Sequence, residues 1–100
     1  MQTYILLTKL SPEQSQKLKD RKTIGTNWHD KVKDKCPQVK FIAHYALLGQ
    51  YDFLDIYEAP DEETAAKVSI LSRENGASEA QSLTAIPYKR YLEMIDEIFD

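Results

Sequence analysis

Alternating and continuous apolar runs, separated by polar stretches, divide this chain into strands and helices. Four runs are rich in β-branched, aromatic and other apolar side chains, and we predict strands at residues 3–9, 38–48, 51–58 and 79–86. The first run is almost continuously apolar, which is typical of a strand buried on both faces. Only Gly49 and Gln50 join the second and third runs, and so short a connection predicts an antiparallel hairpin.

The first helix is predicted from its N-terminal signal. Ser11 can cap it, Pro12 suits the first helical position and Gln14 completes a capping box. The helical segment runs to about Cys36, before a proline. Gly25 lies in its interior, where glycine costs about 1 kcal/mol. We therefore expect two helical pieces with a break near Gly25.

Two further helices follow from capping and periodicity. Asp61 is a suitable cap for a helix that ends near Asn75 and Gly76, and Pro87 begins a last helix. Apolar residues recur in this last segment at helical spacing, namely Tyr88, Tyr91, Leu92, Ile95, Ile98 and Phe99. The chain therefore reads strand, helix, strand, strand, helix, strand, helix.

This order predicts an α+β, ferredoxin-like βαββαβ fold: a four-stranded antiparallel sheet with two helices on one face, plus an extra C-terminal helix. One hundred residues suit one domain, so we expect a single domain over residues 1–100, with 87–100 as a helical extension.

The face of the sheet without helices should be polar in a monomer, yet both parities of the strands are largely apolar. We expect a second copy of the chain to cover this face, giving a dimeric α/β-barrel. The last helix is the alternative: it could fold back over the open face, pack on the partner subunit or thicken the helical layer.

Composition and charge limit the classes of binding partner and the cell compartment that we expect for this protein. The net charge is −3, which argues against nucleic acid, and no apolar run approaches the about 20 residues that span a bilayer. Cys36 is the single cysteine, so an internal disulfide is excluded. The N-terminus enters a strand directly and lacks the pattern of a signal peptide. We expect a cytoplasmic protein without a membrane partner.

Two mid-strand polar residues, His44 and Asp55, are the leading candidates for chemistry. Strict alternation predicts one face of the second strand from Phe41, Ala43, Tyr45 and Leu47, and the other from Ile42, His44, Ala46 and Leu48. Hairpin pairing places His44 opposite Asp55 or Tyr57. A buried carboxylate with a raised pKa beside an imidazole suits acid–base catalysis. The structural alternative is that both groups are satisfied within the core or a subunit interface.

The hairpin turn holds the second group of candidates. Gly49 suits a positive φ, Asp52 suits hydrogen bonds to turn amides, and Tyr51 suits packing at the end of the sheet. The functional alternative makes Tyr51 and Asp52 part of a ligand pocket at that end, together with the strand residues Tyr45 and Tyr57.

We expect neither a metal nor another cofactor. His29 and Cys36 lie seven residues apart with Asp30 nearby, a spacing that matches no zinc pattern. Phosphate-binding glycine loops, nucleophile elbows and zinc-protease motifs are also missing from the sequence.

Three segments, at residues 3–13, 48–53 and 58–67, resemble the GYD-domain family, whose signature of Gly, Tyr and Asp at the hairpin matches Gly49, Tyr51 and Asp52. The resemblance covers residues 3–86. It implies the dimeric α/β-barrel fold, a group that includes cofactor-free monooxygenases, isomerases and ligand-sensing domains.

We therefore expect a homodimeric domain that binds a small molecule or serves a regulatory role. One alternative is a cofactor-independent monooxygenase-like or isomerase-like enzyme that uses His44 with Asp55 or Tyr45. The other is a structural module for protein interaction.

Overall fold

A computed structural model describes residues 1–99 as four strands and four helices. In chain order these are β1 Gln2–Leu10, α1 Pro12–Ser15, α2 Arg21–Lys35, β2 Lys40–Ala46, β3 Phe53–Ala59, α3 Glu62–Glu74, β4 Ala77–Ala85 and α4 Tyr88–Phe99. The strands form one antiparallel sheet in the order β2-β3-β1-β4. This is the ferredoxin-like arrangement predicted from the sequence. Asp100, the last residue of the predicted extension, lies outside the described residues.

The hydrophobic core lies between one face of this sheet and the helices α2 and α3. The sheet contributes alternate residues of β1 and β3, and Tyr4 stacks on Tyr57 with ring centroids 5.5 Å apart. The fully buried large side chains are Tyr4, Leu6, Val32, Tyr57 and Val68. Because these come from β1, β3, α2 and α3, the two long helices share one face of the sheet.

The first helical segment does break, but not at Gly25. α1 ends at Ser15 and α2 begins at Arg21, whereas Gly25 lies inside α2. The prediction of a break near Gly25 was wrong because packing outweighs helix propensity. Trp28 and Val32 are buried and hold α2 on the sheet, whereas Leu18, the one aliphatic residue between the two helices, is 78% exposed.

The second strand is shorter than predicted and carries a bulge. It spans Lys40–Ala46 instead of 38–48, and its register with β3 shifts between Phe41 and Ala43. Phe41 pairs with Tyr57, and His44 pairs with Asp55. Strict alternation had put Phe41 and His44 on opposite faces, which was wrong. A bulge adds one residue to a strand and so reverses the side-chain parity beyond it.

The second face of the sheet is apolar. Ile5 lies between Ile56 and Leu83, and Leu7 pairs with Leu54, all on the face that α2 and α3 leave uncovered. This face extends to Tyr45, which pairs with Leu54 and is 57% exposed. We call it the open face.

The last helix, α4, does not cover the open face. None of its described residues is buried, and most of its apolar side chains remain in solvent, with Tyr88 72% and Phe99 80% exposed. The radius of gyration is 15.3 Å, against about 13 Å for a compact domain of this length. Of the three placements considered for this helix, folding back over its own sheet is therefore wrong. Through residue 99, no helix is long and apolar enough to cross a membrane.

Candidate functional site

A cavity of about 540 Å³ lies between α2 and the helix-facing side of the sheet. Its sides are α2, the β2–β3 hairpin and the end of β1, and residues at the end of α3 and the start of β4 complete its lining. It is lined by Thr8, Leu10, Arg21, Lys22, Gly25, Thr26, Trp28, His29, Phe41, Ile42, Ala43, His44, Phe53, Asp55, Ser72, Asn75 and Ala77. The volume falls within the range of small-molecule sites.

His44 and Asp55 come together in this cavity, as the hairpin pairing predicted. Nδ1 of His44 lies 3.5 Å from Oδ1 of Asp55. The side chain of Asp55 is only 4% exposed, whereas that of His44 is 55% exposed. Oδ1 of Asp55 has no hydrogen-bond partner among residues 1–99, so the contact with His44 is an ion-pair distance without hydrogen-bond geometry.

Burial changes the acidity of Asp55. Removal of its carboxyl from water raises its pKa to about 6, and the nearby imidazole of His44 opposes part of that rise. Asp55 is therefore a carboxyl that changes protonation state near neutral pH, which an exposed aspartate does not do. Its chemistry suits a proton donor, a proton acceptor or a hydrogen-bond partner for a ligand.

Two residues of α2 that line the same cavity carry an unpartnered donor. Nη1 of Arg21 and Nε1 of Trp28 are buried and lack a hydrogen-bond partner in the described chain. The guanidinium carbon of Arg21 lies 5.2 Å from the ring centroid of Phe53, a cation–π distance. Burial lowers the pKa of Arg21, and the charge of Asp52 partly restores it. Arg21 still carries its positive charge at neutral pH.

Aromatic rings surround these polar atoms. Phe41 contacts Trp28 and His29, with ring centroids 5.4 Å and 4.6 Å apart. On the other strand of the hairpin, Phe53 lies edge to face with His44 at 5.6 Å. The bulge in β2 makes this possible because it turns Phe41 and His44 to one face. The cavity thus combines aromatic walls with a few unpartnered polar groups.

Arg21, Trp28 and Phe53 were not predicted as site residues. A signal was available on α2: Arg21, Gly25 and Trp28 are spaced at i, i+4 and i+7 and so share one helical face. The break that we placed at Gly25 concealed it.

The signature residues of the turn lie at the end of the sheet. Gly49 has φ of +137°, a conformation that favours glycine. Oδ2 of Asp52 accepts a hydrogen bond of 2.7 Å from the backbone N–H of Leu10, and the N–H of Asp52 donates to the carbonyl of Thr8. The hydroxyl of Tyr51 accepts a hydrogen bond from Gln81. Asp52 thus ties the hairpin to β1, and neither Asp52 nor Tyr51 lines the cavity.

The other two tyrosine candidates are also separated from the cavity. Tyr57 is fully buried in the core, and its hydroxyl lies 2.8 Å from Oγ of Ser82. Burial raises the pKa of Tyr57 to about 12. Tyr45 lies on the open face. The structure therefore brings together His44 and Asp55 of the six predicted residues, and places Tyr45, Tyr51, Asp52 and Tyr57 elsewhere.

The expected absence of a metal site stays a prediction. Within residues 1–99, His, Cys, Asp and Glu form no group of three that could hold a metal ion. Cys36 is a buried thiol in the core, and burial raises its pKa, whereas His29 lines the cavity.

Most of the chain matches the sequence pattern of a known protein family. The model of the GYD domain matches residues 4–95. The chain belongs to the GYD-domain family.

Among curated proteins, this GYD domain is similar to one from Thermus thermophilus named glutamine synthetase and cystathionine beta-lyase binding protein. The two are 39% identical over 49 residues. The match covers 49% of this chain and 52% of the relative, so the chain spans about half the length of the curated relative that it matches.

Two solved structures share the fold of this GYD domain. FFRP-DM1 matches 86% of the chain and 100% of its own length, with a TM-score of 0.54 and 18% identity. TTHA0845, also from Thermus thermophilus, matches 87% of the chain and 95% of its own length, with a TM-score of 0.55 and 19% identity. At these identities the likeness concerns the fold alone.

Proposed function

We propose that this GYD domain is a homodimeric binding or regulatory protein that takes a small molecule into the cavity between α2 and the sheet. The observation that carries the proposal is that three residues of the cavity lining each hold a buried polar atom without a hydrogen-bond partner among residues 1–99: Oδ1 of Asp55, Nη1 of Arg21 and Nε1 of Trp28. Each unpaired buried polar group costs about 1–3 kcal/mol. A ligand with matching donors and acceptors recovers that cost, and water does so less specifically.

The relative from Thermus thermophilus supports a second role for this chain, which is binding to a protein partner. That protein is named for binding two enzymes, and its similarity to this chain extends over 49 residues. We propose that this chain binds its ligand in the cavity and a protein partner at a separate surface. We place it in the cytoplasm, where the buried free thiol of Cys36 suits a reducing environment.

The homodimer is proposed from the open face. Ile5, Leu7, Leu54 and Ile56 form a central apolar patch that neither the helices α2 and α3 nor α4 cover. A second copy supplies an equally apolar sheet, and two-fold symmetry lets the same patch serve both subunits. The amphipathic α4 extends from the body of the domain and offers each subunit a further apolar surface for its partner.

Native mass spectrometry tests the ligand proposal. The protein as purified from its own cells should carry a bound small molecule, seen as a mass above that of the chain. A Cβ at Gly25 would meet open space, and Gly25 lines the cavity, so Gly25→Phe should fill it and abolish the extra mass. Gly25→Ala is the matched control and should retain it. Equal retention by the Phe and Ala variants would refute binding in this cavity.

A second candidate function, a cofactor-independent enzyme, is favoured by the Asp55–His44 pair. A carboxyl with a pKa of about 6 beside a half-exposed imidazole can move a proton between ligand and solvent. If the native ligand exchanges a carbon-bound hydrogen in D₂O, NMR should show the exchange slow about a hundredfold or more in Asp55→Asn. Exchange that is unchanged in Asp55→Asn, or absent from the wild-type protein, would leave binding as the function.

A further inference from the structure

We propose that the cavity binds a small aromatic carboxylate that carries a hydrogen-bond donor, such as a hydroxyl group, on its ring. This inference rests on the proposed function, since it names the ligand class of the same cavity. The carboxylate of the ligand binds Arg21, the ring lies between the aromatic side chains of α2 and the hairpin, and the ring donor binds the carboxyl group of Asp55.

The charges around the cavity favour an anion. Helix α2 contributes the cations Arg21 and Lys22, and β3 contributes Asp55. The two histidines, one on α2 and one on β2, are counted as neutral, and the lining residues from β1, the end of α3 and the start of β4 carry no charge. The lining therefore has a net charge of about +1 with Asp55 ionised, and protonation of Asp55 makes it more positive.

Arg21 is arranged for a planar anion. Its guanidinium carbon lies 5.2 Å from the ring centroid of Phe53, and its Nη1 has no hydrogen-bond partner among residues 1–99. Carboxylates accept two parallel hydrogen bonds from a guanidinium. Asp52 is the acidic neighbour of Arg21, but its Oδ2 already accepts the 2.7 Å bond from Leu10.

The walls favour a flat ring over an aliphatic chain. Trp28, His29 and Phe41 form one aromatic group, and His44 and Phe53 form the other. Aromatic rings that pack edge to face or offset against such walls bind more favourably than the area they bury alone would give. Cavity volume supports a ligand of this size, because about 540 Å³ holds a small substituted ring with room for water.

Asp55 specifies the second polar group. It is 2% exposed, lines the cavity and has an unpartnered Oδ1. A carboxylate oxygen accepts hydrogen bonds, so a donor on the ligand satisfies it, whereas a second anionic group there is repelled. A hydroxyl on the ring meets this requirement, and a dicarboxylate does not.

Titration calorimetry with commercial probes tests the inference on the full-length protein. We expect 3-hydroxybenzoate or 4-hydroxybenzoate to bind more tightly than benzoate. The corresponding hydroxybenzamide, which lacks the charge, and cyclohexanecarboxylate, which lacks the flat ring, should each bind about tenfold more weakly or worse. Arg21→Gln should lower the affinity for hydroxybenzoate about tenfold or more. Lys33→Gln, on an exposed part of the same helix, should change this affinity less than twofold.

The contrary results are distinct from failure of the proposed function. Equal binding of hydroxybenzoate and hydroxybenzamide, or unchanged affinity in Arg21→Gln, would overturn the ligand class. A complete lack of binding by these probes would also overturn the ligand class if the wild-type protein carries a native ligand that Gly25→Phe loses. In that case the proposed function would stand. If Arg21→Gln does not fold, Arg21→Lys takes its place, because lysine keeps the charge but not the paired donors. Arg21→Lys should still lower the affinity for hydroxybenzoate.

Discussion

Nδ1 of His44 lies 3.5 Å from Oδ1 of Asp55, and the two side chains differ sharply in exposure, at 55% for the histidine and 4% for the aspartate. The imidazole is therefore solvated while the carboxylate beside it is not. A half-solvated partner compensates only part of the cost of burying a charge. This asymmetry explains why the pKa of Asp55 rises to about 6 despite the adjacent histidine.

The first prediction concerns the pH dependence of stability. The pKa of Asp55 is raised on folding from 3.8 to about 6, so the folded state binds its proton more tightly than the unfolded state. The contribution of Asp55 to stability is therefore most favourable below about pH 4 and declines as pH rises to about 6. Asp55→Asn should be more stable than wild type at pH 7.5 by on the order of 1–3 kcal/mol, measured by urea denaturation.

The advantage of Asp55→Asn should shrink as pH falls from 7.5 to 4.5, because the wild-type carboxyl becomes neutral there. Asp30→Asn is the matched control, since Asp30 is exposed on α2, and its effect on stability should be small at both pH values. A stability difference for Asp55→Asn that does not change with pH would contradict the argument.

The pairing of His44 with Asp55 could be predicted because it depends only on where the hairpin turn lies in the sequence. The turn around Gly49 and Gln50 sets which strand positions face one another, and the register from Ala43 to Ala46 follows it. The bulge at Ile42 could not be predicted, since its position depends on how Phe41 packs against the core. The resulting common face of Phe41 and His44 is a tertiary effect.

The α2 side of the cavity escaped prediction for a different reason. Helix propensity alone places a break at Gly25, yet burial of Trp28 and Val32 holds α2 intact across it. Propensity differences are near 1 kcal/mol, whereas a buried large side chain contributes about 1.5–3 kcal/mol. Helix propensity can be read directly from the sequence. The free energy of burial can be judged only when the surface that covers the side chain is known.

The second prediction tests this balance at Gly25. Because this glycine lies within α2 and a Cβ there meets open space, Gly25→Ala should stabilise the protein by about 0.5–1 kcal/mol. Thermal unfolding followed by circular dichroism measures the change. No gain in stability would mean that α2 is strained or frayed at this point.

Gly76→Ala provides the opposite case. Gly76 has φ of +103°, and a Cβ there would overlap the side chain of Gln14. Both the backbone and the contact oppose substitution, so this variant should lose about 1–3 kcal/mol of stability. A result of the same sign at Gly25 and Gly76 would contradict the two local descriptions.

The third prediction concerns the aspartate of the family signature. Oδ2 of Asp52 accepts the 2.7 Å hydrogen bond from Leu10, which joins the turn to β1. Asp52→Ala leaves that N–H without its acceptor and should cost about 1–3 kcal/mol in urea denaturation, whereas Asp52→Asn keeps an acceptor oxygen and should cost less. Equal stability of wild type and Asp52→Ala would remove the structural explanation for this residue.

The last prediction concerns the open face and the proposed homodimer. At micromolar concentration, light scattering should give about twice the 11.6 kDa mass of the chain. Leu54 lies in the middle of the open face, between Leu7 and Tyr45, so Leu54→Glu places a charge where the second sheet would pack. An unpaired buried charge costs several kcal/mol, which should shift the protein to the monomer mass.

Ile70→Glu is the matched control, because Ile70 is 59% exposed on α3 and lies away from the open face. The Ile70→Glu variant should stay dimeric. Tyr45→Glu, at a more exposed position of the same face, gives the same test if Leu54→Glu does not fold. A monomer mass for the wild-type protein, or an unchanged dimer in Leu54→Glu and Tyr45→Glu, would refute pairing through the open face.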